Sequence, residues 1–136
     1  MVTRGTFVLF VALSVSVGCS SDGATAVAPS PRGSWSLSTV AGAALPFVAS
    51  SGGDFGLVEL TGQKLVINDN TFTLVESYRQ TVNGTTVTMA DSLVGWAVVN
   101  AQTAHLTTSD GVDAMAELQG GRLLVNGGLP FVYERQ

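Results

Sequence analysis

The chain has 136 residues, of which 46% are hydrophobic and only 12% charged, with sixteen glycines and a formal net charge of −4. That length points to one domain, and the composition is that of a β-rich globular chain rather than a disordered one. The acidic balance and the single lysine, Lys64, exclude a nucleic-acid surface, which needs clustered basic side chains, and one cysteine with one histidine exclude an intrachain disulfide and a Cys/His zinc site.

The chain opens with a short segment carrying one positive charge, Arg4, followed by an apolar run over residues 6–17. A bilayer-spanning helix needs about 20 apolar residues, so this run suits the hydrophobic region of an export signal, and residues 1–18 are read as a signal peptide. The tetrapeptide Ser16-Val17-Gly18-Cys19 resembles the lipobox of bacterial lipoproteins, with an aliphatic residue replaced by Ser16. The resemblance implies that Cys19 is lipidated, with acyl chains such as palmitate, and becomes the new N-terminus. The membrane is then a partner through that lipid, and the location is the cell envelope, at the outer membrane or the periplasmic face. Ser20, where an aspartate would divert the chain, resembles the pattern for outer-membrane sorting. The alternative is an ordinary secretory signal cut after Ala26 or Ala28, which discards the cysteine.

Residues 19–32 contain small side chains, Pro29 and Pro31, and no apolar period. They are expected to form a lipid-anchored flexible linker, whose mean reach over about 13 residues is about 20 Å; the prolines argue against a strand.

From Gly33 the pattern alternates between apolar and polar and is broken by turn residues every 8–12 positions, the signature of antiparallel β structure. Strands are expected over residues 35–40, 56–67, 71–79, 86–89, 93–99, 104–107, 112–118, 122–126 and 131–135. Gly62 marks a bulge in the second of these. Asn83-Gly84 supplies the two positive-φ residues of a type I′ turn. Pairing Ile67 with Thr71 places Glu59 opposite Arg79 as a cross-strand ion pair. No segment carries a helical period from which crossover helices would be built. Eight or nine short strands joined by hairpins close most simply into a small antiparallel up-and-down barrel over residues 33–136, with a β-sandwich as the alternative.

Gly33-Ser34-Trp35 resembles the G-x-W that opens lipocalin-like barrels, and the last expected strand, Phe131-Val132-Tyr133-Glu134-Arg135, ends on a basic residue. The resemblance implies that Trp35 and Arg135 close one end of the barrel by a cation–π contact, worth about 0.5–2 kcal/mol. It also places the chain beside small bacterial lipocalin-like lipoproteins.

No catalytic set emerges. His105 shares a face with Thr103 and Thr107 and points to solvent, and no G-x-S-x-G turn accompanies it. Glu59 and Glu76 lie on neighbouring strands as glycosidase-like carboxylates would, but Glu59 is claimed by Arg79. Gly52 to Gly56 leads into a strand and offers no helix N-terminus for a phosphate. A non-catalytic protein without metal or cofactor is expected. For binding, Phe72, Leu74, Glu76 and Tyr78 share an inward face, as do Val112, Ala114, Ala116 and Leu118. Glu76, Tyr78, Ala114 and Ala116 are therefore the candidate ligand contacts, since the small alanines either leave room or let a narrow barrel pack solid around Trp35, Phe72 and Phe131. Trp96, between Val94 and Val98 on one face, reads as core or outer packing. The expected partner is a small apolar ligand or an envelope protein, with a structural protein whose barrel is filled as the alternative and a hydrolase as the more distant one.

Overall fold

A computed structural model describes residues 28–136; the expected signal peptide and Cys19 lie outside the described residues. The strands are β1 (Gly33–Val40), β2 (Ala43–Ala44), β3 (Phe47–Ser51), β4 (Leu57–Ile67), β5 (Thr71–Val82), β6 (Thr85–Asn100), β7 (Thr103–Thr108), β8 (Asp113–Gln119), β9 (Arg122–Asn126) and β10 (Pro130–Arg135), with one 3₁₀ turn at Gly53–Phe55. Each strand from β4 to β10 pairs antiparallel with the next, and β1 pairs with both β10 and β4, so eight strands form a closed ring. A closed barrel removes the edges over the length that all eight strands share, and it replaces the sandwich alternative.

The closure between β1 and β4 is short, running from Gly33 opposite Ile67 to Ser36 opposite Lys64. Above it the two strands part. There β2 lies along β1 and β3 along β4, filling the split with two strands that the sequence pattern does not announce. Ala43 and Ala44 are exposed and β3 is exposed except at Phe47, so neither strand carries the alternation that marks a half-buried one.

Two further expectations change in detail. The breaks expected around residues 90–92 are absent: β6 runs unbroken for 16 residues because β5 pairs with it from Trp96 to Thr85. Long-range hydrogen bonding outweighs the local polarity of Asp91 and Ser92. In the β4–β5 hairpin Ile67 faces Phe72 rather than Thr71, one residue out of the expected register. A bulge between Leu60 and Gly62 then absorbs one residue, so that Glu59 still faces Arg79. A one-residue slip inverts every side chain's face, and the bulge is what lets Phe72 and Leu60 both point inward.

The Asn83-Gly84 turn has φ of 49° and 78°, as a type I′ hairpin requires. The core lies in the lower half of the barrel, where Trp35, Leu65, Ile67 and Leu123 are almost wholly buried. Each such side chain contributes about 1.5–3 kcal/mol relative to exposure. Gly95 belongs to this packing: a Cβ there would stand 2.4 Å from the Phe72 ring and 2.4 Å from the Thr107 carbonyl oxygen.

The base of the barrel corrects the extent of the linker. Pro31 is fully buried, the Trp35 indole N–H donates to its carbonyl at 2.8 Å, and Arg135 donates to the Ser30 carbonyl at 2.7 Å and the Arg32 carbonyl at 3.2 Å. Arg32 itself pairs with Asp69 at 2.6 Å. Proline keeps this segment out of the sheet, yet its carbonyls and ring pack well on the end of the barrel, so the folded unit begins near Ser30 rather than at Gly33.

Candidate functional site

Alternation along the strands turns one set of side chains inward, and the upper half of the interior is not filled. An apolar cavity of about 180 Å³ opens there, with Phe72, Leu93, Leu106, Ala114, Val125 and Phe131 among its walls. A second, of about 190 Å³, lies beside it between Val40, Phe47, Leu60, Tyr78 and Leu129. Gln63 and Phe131 line both and so form the partition between them.

Gln63 is held by a polar chain that crosses the barrel. The buried Tyr133 hydroxyl donates to its carbonyl oxygen at 2.5 Å, its amide donates to Glu76, and the Tyr78 hydroxyl donates to the other Glu76 oxygen at 2.8 Å. Among the described residues no buried side-chain polar atom lacks a partner, so this chain is a satisfied network and not an orphaned group awaiting a ligand. Burial raises the Tyr78 phenol above its ordinary value, with its hydrogen bond to Glu76 and the charges of Glu76 and Asp91 adding to the shift. Burial also raises Tyr133, with the Glu76 charge adding to it. Both phenols therefore remain donors throughout the neutral range.

The four candidate ligand contacts are dispersed by this arrangement. Ala114 lines the first cavity and Tyr78 the second. Ala116 is fully buried in the packed core, and Glu76, which faces inward, lines neither cavity and accepts two hydrogen bonds. Val112 borders the first cavity from outside its strand and is 55% exposed, because β8 begins only at Asp113. The sequence reading did not single out Gln63 or Phe131 as site residues. Gln63 is signalled by a polar side chain at an inward position of β4, two residues before Leu65; the partitioning role of Phe131 depends on the closure of the ring.

Elsewhere the charged groups find local partners. Arg79 meets Glu59 at 2.7 Å on the outer face, while Glu76 faces inward beside Gln63, so the sheet separates the two carboxylates. His105 is on the outer wall, 3.5 Å from Asp113. Trp96 is 60% exposed on that wall with Val94 and Val98, outside the core. Residues 52–56 form a loop with one 3₁₀ turn and no helix of useful length. Among the described residues no three His, Asp or Glu side chains are grouped as metal ligands. At the base, the Arg135 guanidinium carbon lies 4.3 Å from the centroid of the Trp35 ring, the contact that the G-x-W resemblance implies.

The chain is thus an all-β protein with a closed eight-stranded antiparallel barrel and two added strands. A scan against protein-family models finds no match, and neither the curated proteins nor the solved structures give a significant one.

Proposed function

We propose that this protein is a non-catalytic envelope lipoprotein, held at the membrane by a lipid on Cys19, whose barrel binds a small apolar ligand at its open end. The single observation that supports binding is the open cavity of about 180 Å³ walled by Leu, Phe, Val and Ala side chains. Its size limits the ligand. Sites for drug-sized molecules run from about 300 Å³ upward, whereas a cavity of about 150 Å³ accepts a benzene-sized guest. The ligand is therefore one ring or a short alkyl chain, not a whole lipid, with Gln63, Thr108 and Tyr133 as the polar side chains in the walls around it.

The test is a titration of the isotopically labelled Cys19→Ser protein with toluene and with 1-hexanol, followed by amide chemical shifts. Saturable shifts are expected at Leu93, Ala114 and Gly127 and are lost in Ala114→Leu, which fills the cavity. No saturable shift at millimolar ligand would leave the filled structural barrel as the reading. The anchor is tested separately: the mass of the mature N-terminal peptide from a bacterial host is expected to show acylated Cys19, and an unmodified start at Val27 or Pro29 refutes it.

A further inference from the structure

The barrel is lopsided. β5 has 12 residues and β6 has 16, whereas β7, β8 and β9 have six, seven and five. β7 pairs with β6 only from Gly95 to Asn100, so among the described residues nothing pairs with the outer side of residues 85–94. Strands β3 to β6 rise above the rim as a curled sheet whose last strand has an open edge.

The hydrogen-bonding sense of that edge follows from one bond. The Ala97 N–H donates to the Asn70 carbonyl, on the β5 side, at 3.0 Å. Successive residues of a strand bond to opposite sides, and neither pairing of β6 shows a bulge. Thr86, Thr88, Ala90, Ser92 and Val94 therefore direct their N–H and C=O groups outward. Exposed edges are normally guarded by charged side chains, proline or a bulge; residues 85–94 contain neither lysine nor proline, and their one charge, Asp91, occupies a single edge donor, the Ser92 N–H, at 2.8 Å. Val87 and Met89, on the concave face, are 53% and 41% exposed.

We propose that this edge pairs antiparallel with the same edge of a second copy, giving a twofold dimer through one continuous sheet. The fold itself sets the register. Thr108 occupies the position beside Gly95, so the incoming strand must end by Val94, and its hairpin turn at Asn83-Gly84 then falls there. With Gly84 of the other copy opposite Val94, Met89 meets Met89 on the twofold axis. Thr86 faces Ser92 and Thr88 faces Ala90; each Thr88–Ala90 pair exchanges two hydrogen bonds and each Thr86–Ser92 pair adds one, because the Ser92 N–H is held by the Asp91 carboxylate at 2.8 Å, about six across the interface. Asp91 faces Val87 rather than another Asp91, so no like charges oppose one another, and the Thr–Ser pair is a favourable cross-strand combination. Such self-complementarity is what an isologous interface requires, and it covers the exposed Val87 and Met89.

The register makes the test specific. In a Cys19→Ser background, sedimentation of the purified protein at about 100 µM is expected to give a dimer. Ala90→Pro removes an outward donor without touching the β5 pairing, which a proline on an edge strand permits, and is expected to give a monomer with an unchanged far-ultraviolet spectrum. Met89→Cys is expected to cross-link under mild oxidation, since directly opposed non-hydrogen-bonded positions lie close enough for a disulfide, and Val87→Cys is not. A monomer in sedimentation, or cross-linking of Val87→Cys in preference to Met89→Cys, overturns the proposal.

Discussion

Replacing Gly95 by alanine tests whether the core is built on a close approach of β6 to β5 and β7. The added methyl would sit 2.4 Å from one Phe72 ring carbon, 2.7 Å from the next, and 2.4 Å from the Thr107 carbonyl oxygen. Contacts of carbon atoms are comfortable near 3.5–4.0 Å, so the ring must move by about 1 Å and the β7 backbone must also give. Phe72 is almost wholly buried between Ile67 and the first cavity, and the open cavity lets the ring yield but the carbonyl has no such freedom. Overpacking of this kind costs about 1–3 kcal/mol, and the involvement of backbone argues for the upper end, about 2–3 kcal/mol. Urea unfolding followed by circular dichroism measures it. Gly62→Ala is the internal control: no atom lies within 4 Å of its added methyl, and a glycine replaced at an ordinary backbone conformation stabilises by about 0.4–1 kcal/mol through the unfolded chain. Pairing Gly95→Ala with Phe72→Leu is expected to recover part of the loss. A Gly95→Ala protein within about 0.5 kcal/mol of the parent would refute the packing argument.

Stability is also expected to fall in strong alkali. Tyr78 and Tyr133 keep their protons in the folded state above the ordinary phenol value of 10.0, so the unfolded chain releases protons first. Their contribution is fully present below about pH 10 and is lost as pH rises beyond it. Urea midpoints are expected to be level with respect to these two groups from pH 7 to 9 and to decline above 10, less steeply in Tyr133→Phe; equal slopes in the two proteins would contradict the assignment. At the base, Arg135→Gln removes the cation over Trp35 together with hydrogen bonds to the Ser30 and Arg32 carbonyls. A loss of about 1–2 kcal/mol is expected, with faster amide exchange in residues 30–32, and unchanged exchange there would show that Pro31 holds the segment unaided.

What the sequence determined by itself was everything governed by local period and turn chemistry. Alternation with a period of two marked the meander, Asn83-Gly84 marked a tight hairpin because few residues accept two successive positive φ values, and a glycine within an apolar run marked the bulge beside Leu60. The Trp35 and Arg135 pair was legible only through the G-x-W resemblance, which implies the contact, and the pairing of the first strand with the last brings the two side chains together. Tertiary structure alone decided the rest. Strands β2 and β3 exist because β1 and β4 diverge above Ser36, a consequence of ring closure that leaves no mark on the exposed residues filling the gap. Glu76 was legible as an inward acid, but its role as acceptor for Gln63 and Tyr78 depended on a bulge that shifts register between two parts of one hairpin. The open edge of β6 was hidden for the same kind of reason: a strand's length shows in its own residues, but whether a neighbour runs beside it is settled by where that neighbour turns.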